Sequence, residues 1–288
     1  AINSMKTQIL DSFSLLSRLQ RKPSEHKGDA GKVLLIGGAT GMSGAIFLAG
    51  KAALYTGAGW TVLGVLDSQA ATFVLDQPEL MVQAATRQLI EQVAPDVLAM
   101  GPGLGKGLLA KELLKQALTM PIPLVLDADA INLLSEDASL LSLLKQRPFL
   151  QTVLTPHPGE AGRLLQIPSE KIQQNRLDSI QRLVELTQSV IVLKGHNTLI
   201  SAPNQSILCC ERGNPGMGVG GMGDVLTGVL ASLIAQGIRH DLSVYEATCL
   251  GVELHSAAAD FLVNKGVGPI GLTPTETIYQ LRELINIK

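Results

Sequence analysis

The chain has 288 residues, 46% hydrophobic and 17% charged, with a formal net charge of −2. That composition describes a folded globular protein, and the lack of a long basic run argues against a nucleic-acid or membrane-surface role. Three cysteines, two of them adjacent (Cys209 and Cys210), form no disulfide framework or paired metal motif, so a reducing cytoplasm is expected. The strongly apolar stretches, such as 225–235, are too short to cross a bilayer, and no signal-peptide pattern opens the chain. Residues 1–4 before Met5 read as a cloning scar, and 1–25 as an N-terminal segment ahead of one domain over 26–288.

In chain order, short β-rich apolar runs alternate with helical patterns. Val33–Ile36 predicts a buried strand, followed by a helix over 44–57; Trp60–Leu66 predicts the next strand. Asp96–Met100 precedes a helix over 106–119, Pro123–Leu126 one over 130–145, and Thr152–Leu154 one over 159–188. Within this last stretch a helix over 169–188 begins at Pro168-Ser169, with Leu177, Ile180, Leu183 and Val184 on one apolar stripe. Val190–Leu193 is a sixth strand. The two runs flanking Pro203-Asn204 in 197–210 predict a hairpin at a sheet edge. Helices over 224–236, 242–264 and 274–286 close the chain, the last opening on a capping box of Thr273 and Glu276 with Pro274 in its first turn. This alternation predicts an α/β fold: a mostly parallel central sheet covered on both faces, in three layers α/β/α.

Open parallel sheets bind ligands beyond the carboxyl ends of their strands. Polar and glycine-rich segments fall repeatedly at such ends: 37–45 (GGATGMSGA), 101–107 (GPGLGKG), 127–134 (DADAINLL), 155–160 (TPHPGE) and 194–198 (KGHNT). Each alone is explained by turn chemistry; together they line one edge of one sheet. Neither a dinucleotide fingerprint nor a Walker lysine motif is present. Asp127 and Asp129 read either as site residues or as caps of the following helix. Lys194 either reaches solvent or offers a cation to phosphate. His157 has no second histidine at metal-ligand spacing, and His240 and His255 read as helix-surface or hydrogen-bonded residues.

The densest glycine run, 213–223, leads through Asp224 into an apolar helix. Backbone N–H groups there suit an anion, yet a carboxylate occupies the next position with no lysine beside it. Asp224 is either the N-cap of that helix, a base for a substrate hydroxyl, or both.

GGMGDVLTG (220–228) resembles the anion-hole and base signature of the ribokinase-like superfamily, and TPHPGE resembles its NxxE segment with His157 in place of Asn. With HKGDAGKVLLIGG, SGAIFLAGKAALYTGAGW, GPGLG, VLDADAINLL, LTPHPGEAGRLL and VLKGHNT, the set is similar to the ADP/ATP-dependent NAD(P)H-hydrate dehydratase family, in the stand-alone form without an epimerase domain. The resemblance implies dehydration of hydrated NAD(P)H through phosphorylation of the ring hydroxyl and loss of phosphate, with ADP or ATP as donor and Mg²⁺ as companion ion. It assigns Asp224 as the catalytic base and Gly220, Gly221, Met222 and Gly223 as the anion hole. Ala45, Gly103 or Gly105, His157 and Asp224 would contact the hydrate. Lys194, Gly195, His196, Asn197, Thr198 and Gly223 would line the adenine nucleotide, and Glu160 would reach the metal through water. It also implies a homotetramer and a functional pairing with a separate epimerase. The rival reading is a ribokinase-like kinase of a small vitamin precursor, which would release a stable phosphorylated product.

Overall fold

The apolar runs of the sequence become a ten-stranded sheet whose order is β1-β10-β9-β8-β7-β6-β5-β2-β3-β4. The computed structural model describes residues 7–70 and 74–287; residues 1–4 lie outside them. The strands are β1 (Thr7–Ile9), β2 (Lys32–Gly37), β3 (Trp60–Val65), β4 (Met81–Ala84), β5 (Val97–Met100), β6 (Leu124–Leu126), β7 (Thr152–Leu154), β8 (Val190–Leu193), β9 (Leu199–Ser201) and β10 (Ile207–Cys209). The helices are α1 (Lys27–Ala30), α2 (Ser43–Tyr55), α3 (Leu89–Val93), α4 (Leu108–Leu118), α5 (Asp129–Glu136), α6 (Ala138–Lys145), α7 (Pro158–Leu165) and α8 (Ser169–Gln174). The set ends with α9 (Arg176–Thr187), α10 (Met222–Gly237), α11 (Val244–Asn264) and α12 (Pro274–Ile285). Every described strand except β9 runs the same way, since β9 is antiparallel to both β8 and β10 and all other pairings are parallel.

Strand side chains alternate between two apolar layers, as a sheet covered on both faces requires. Val33 and Leu35 of β2, Val97 and Ala99 of β5, and Val190 and Val192 of β8 join the layer built with α2, α10, α11 and α12. Leu34, Ile36, Leu98, Met100, Ile191 and Leu193 join the opposite layer, built with α3 to α9. The first layer depends on close approach of α2 and α10: a Cβ at Gly228 would collide with the Ala49 carbonyl oxygen of α2. Only glycine lets those two helices meet at that point.

Four expectations change. The stretch 130–145 is two helices, because Asp137 turns extended (φ −136°, ψ 107°) and accepts a hydrogen bond from the Ser139 N–H at 2.8 Å to cap α6. The stretch 159–188 is three helices: α7 stops at a left-handed Gln166, and Asn175 breaks α8 from α9. In α9, Ile180, Leu183 and Val184 are buried as expected, but Leu177 is exposed. The predicted hairpin forms as β9 and β10 but is not the sheet edge, because β1 pairs in parallel outside β10.

The first 25 residues are therefore packed onto the domain over their described part. Glu253 of α11, 2% exposed, accepts from the Ser12 N–H and the Ser12 hydroxyl, each at 2.7 Å, and from Arg212 Nε at 3.1 Å. The start of α12 keeps half of its expected box: Thr273 Oγ1 accepts from the Glu276 N–H at 3.2 Å and donates to Glu276 Oε1 at 2.8 Å.

Candidate active site

The five segments singled out beyond strand ends follow β2, β5, β6, β7 and β8, which are consecutive and parallel in the sheet. They therefore share one edge. The chain runs outward from β2 to β3 and β4, then returns to place β5 on the other side of β2. A crevice opens at such a reversal of strand order. Two glycine loops flank it and are laced together: the Gly38 N–H donates to Pro102 O at 3.0 Å and the Ala39 N–H to Gly103 O at 2.6 Å. The Gly105 N–H donates to Asp129 Oδ2 at 2.9 Å. Ala45, in the first turn of α2, donates its N–H to Met42 O at 3.3 Å, and that carbonyl oxygen is also what a Cβ at Gly103 would meet.

Neither Asp127 nor Asp129 caps α5: Ala128 is the N-cap residue and makes no side-chain cap bond. Asp129 tethers the Gly105 loop instead. Asp127, 2% exposed at the end of β6, is the centre of a buried cluster. Its Oδ1 accepts from Thr155 Oγ1 at 2.8 Å and from Lys194 Nζ at 3.2 Å, while its Oδ2 accepts from Thr227 Oγ1 at 3.0 Å. One carboxylate thus joins the ends of β6, β7 and β8 to the second turn of α10. The sequence reading left Asp127 open between site residue and helix cap and did not single out Thr155 or Thr227; partners so distant in sequence leave no spacing signal.

Lys194 does not reach freely into solvent. Burial lowers its pKa, but the facing charges of Asp127, Glu160 and Asp224 outweigh burial and raise it, so the ammonium is held charged. The loop after it turns sharply. The Lys194 N–H donates to Pro156 O at 2.9 Å, Thr198 Oγ1 donates to Gly195 O at 3.0 Å, and Arg176 donates to the carbonyls of Leu193 and Lys194. Gly195, His196 and Asn197 are exposed along this rim.

His157 is the N-cap of α7. Its Nδ1 accepts from the N–H groups of Gly159 and Glu160 at 3.0 and 3.3 Å, and its Nε2 faces Glu160 Oε2 at 3.2 Å. Glu160 Oε1 accepts from the His157 N–H at 3.1 Å, completing a capping box. That pattern makes Nδ1 the acceptor and Nε2 the protonated nitrogen. The residue remains exposed.

Gly221, left-handed at φ 98°, is the N-cap of α10, so Asp224 is the third helical residue and not the cap. The N–H groups of Gly220, Gly221, Gly223 and Asp224 make no hydrogen bond among the described residues, whereas that of Met222 turns to Val219 O at 3.4 Å. Free N–H donors at a helix N-terminus are a favourable setting for an anion. Of the residues expected in the hole, Met222 has its N–H engaged, while the amide of Asp224, not among them, is free. Gly223 is closely faced: a Cβ there would stand 3.1 Å from Lys194 Nζ, tighter than ordinary contact, and 3.9 Å from Asp127 Oδ2. The same two distances put the Asp127–Lys194 pair directly against the anion loop. Asp224's carboxylate is half-buried and accepts no hydrogen bond among the described residues. Burial first, and then the charge of Asp127, push its pKa up to about 7, with Lys194 opposing.

His240 satisfies its expectation, with Nδ1 on Gln236 O and Nε2 on Glu25. His255 does not: it lies buried on α11 with Nε2 unpartnered, and burial and Lys194 lower its pKa to about 4.

The sequence profile of the NAD(P)H-hydrate dehydratase family matches residues 33–281. The chain belongs to that family. It is 38% identical over 269 residues to the ADP-dependent (S)-NAD(P)H-hydrate dehydratase of Neisseria meningitidis, covering 92% of this chain and 88% of that one. It is 43% identical over 277 residues to a bifunctional NAD(P)H-hydrate repair enzyme of Coxiella burnetii, covering 95% of this chain and 54% of the relative. The chain thus spans about half the length of the bifunctional relatives it matches. In three dimensions it is similar to the ADP/ATP-dependent NAD(P)H-hydrate dehydratase of Bacillus subtilis co-crystallised with ATP/Mg²⁺, with TM-score 0.82, 27% identity and 99% and 98% of the two chains covered. The three-layer fold of this dehydratase-family member is ribokinase-like, as expected.

Proposed function

We propose that the protein dehydrates the S-form of hydrated NAD(P)H to NAD(P)H, with ADP or ATP as phosphoryl donor. The observation that carries this reading is Asp224: a half-buried carboxylate without a hydrogen-bond partner among the described residues, set among free N–H donors and next to a fixed cation. A hydroxyl attacks phosphorus poorly until a base takes its proton, and a base with pKa near 7 is suited to that work at neutral pH. Asp224 accepts the proton of the ring hydroxyl as its oxygen bonds to the terminal phosphorus of the nucleotide, and the bond to the shortened nucleotide breaks. The amides of Gly220, Gly221, Gly223 and Asp224 hold the phosphoryl oxygens during transfer. Phosphate then leaves the ring carbon, the neighbouring carbon gives up a proton, and the double bond is restored.

Ala45, Gly103, Gly105 and His157 border the hydrate side. Lys194 to Thr198 and Gly223 border the nucleotide side. Mg²⁺ suits this site as an ion arriving with the nucleotide. Among the described residues no cluster of three or more acidic, histidine or cysteine side chains forms a metal cage. Each oxygen of Glu160 has one protein contact and a lone pair left for a metal-bound water. When bound, the ion would neutralise developing charge on the phosphates. A cytoplasmic location belongs to the proposal and is supported by the three free cysteines; none of the described helices is long and apolar enough to cross a membrane. A homotetramer acting beside an epimerase completes the proposal.

The test supplies hydrated NADH, Mg²⁺ and either ADP or ATP, and follows NADH absorbance together with phosphate release. Recovery of NADH with stoichiometric phosphate is expected. A stable phosphorylated product would favour the kinase reading, and no recovery of NADH with either nucleotide would overturn the proposal.

A further inference from the structure

Asp224 and Lys194 are opposite charges at the same loop, yet the ammonium does not pair with the base. Its hydrogen bond goes to Asp127 Oδ1 at 3.2 Å. Asp127 is itself fixed, because Thr155 and Thr227 hold its two oxygens at 2.8 and 3.0 Å from opposite sides. Thr227 lies on α10 three residues after Asp224, so the helix that carries the base also orients the acid that competes with it. Gly101 adds a second constraint, since a Cβ there would collide with the backbone of Asp127. The carboxylate at the end of β6 has little room to move.

We propose that Asp127 is a positioning residue that holds Lys194 against the anion loop and away from Asp224, leaving the base unpaired. This inference rests on Asp224 being the base. Were Lys194 free, it would swing to the neighbouring carboxylate and form an ion pair, and an ion-paired carboxylate is a weak base. Held by Asp127, the ammonium stays where a transferring phosphoryl group would meet it, and the negative charge of Asp127 sustains the proton affinity of Asp224. The charged or titratable groups facing this arrangement are Asp127 from β6, Lys194 from β8, Glu160 from α7 and His255 from α11. Thr155 and Thr227 are the neutral members.

The experiment reads the titration of Asp224 in the ligand-free enzyme by ¹³C carboxyl NMR, with the signal assigned by its loss in Asp224→Asn. Asp127→Asn keeps the shape and one accepting oxygen for a threonine hydroxyl, turns the other contact into one the amide donates, and removes the charge. The Asp224 titration is expected to move toward acid by about one pH unit or more, as expected on losing a nearby like charge and gaining Lys194. Lys194→Met is expected to move it toward alkali. The acid limb of kcat/KM should follow in the same two directions, with the plateau of Asp127→Asn lowered more than tenfold. If Asp127→Asn lowers activity while the Asp224 titration and the acid limb stay in place, Asp127 is structural and the proposal is overturned. If Asp127→Asn does not fold, Lys194→Met decides: an unmoved titration overturns the proposal. Titrations that move as expected while hydrated NADH goes unprocessed would leave the charge arrangement standing and remove the assigned reaction.

Discussion

A buried carboxylate and a half-buried one, on successive helices, are treated in opposite ways. Glu253 on α11 is saturated: the Ser12 N–H, the Ser12 hydroxyl and Arg212 Nε all donate to it. Asp224 on α10 has no donor at all among the described residues, although four free N–H groups stand in its own loop. The first arrangement is a fastening that ties the N-terminal segment to the domain. The second keeps an acid short of partners, which costs stability and is useful only if something from outside completes it. A carboxylate's burial alone does not separate these roles; its donor count does.

The sharpest way to break the comparison is to neutralise each acid in turn. Asp224→Asn is expected to lower kcat by about 10³-fold with the fold unchanged by circular dichroism, the size of effect general-base removal gives. An equal loss in Glu253→Gln would erase the distinction. Next, Gly223→Ala sets a methyl 3.1 Å from Lys194 Nζ and is expected to cost about tenfold or more in kcat/KM, with melting temperature little changed. Glu253→Ala should cost about 2 kcal/mol in urea unfolding, because two buried donors of Ser12 lose their acceptor, while steady-state rates stay within about twofold.

The smallest effect is on the pH dependence of stability. The pKa of Asp224 rises to about 7 on folding, so the folded protein binds the extra proton between the ordinary carboxylate range and about pH 7. Stability from this group is therefore present at low pH and lost as pH rises through that window. Asp224→Asn should raise the melting temperature at pH 8 and leave it nearly unchanged at pH 4.

The sequence made the inner sheet legible because its strands are uninterrupted apolar runs, as Val33–Ile36 and Val190–Leu193 are. The outer strands were not legible for the reverse reason: β1 (TQI) and β4 (MVQA) are largely exposed and carry no apolar signal. The helix breaks at Asp137 and Asn175 were hidden because apolar periodicity continues past a polar residue that leaves the helical conformation. In the site, the loops could be placed at one edge since each follows a strand. The hub at Asp127 could not, because Thr155, Lys194 and Thr227 come from three other segments and meet only when the sheet is assembled. Asp224 stood out by its glycines, and the structure removes the N-cap reading by giving that position to Gly221.

The parallel pairing of β1 with β10, Thr7 beside Ile207, has a consequence for assembly. Thr7 and Ile207 lie 200 residues apart (207 − 7), so β1 takes a place that exists only once that length of chain has followed it. Its closure carries the entropy of a very long loop, and the Ser12–Glu253 bonds await α11, which emerges later still. During synthesis β10 stands as an open edge until an early-made segment returns to cover it, and that interval is when the nascent sheet is most prone to pair with a neighbouring chain.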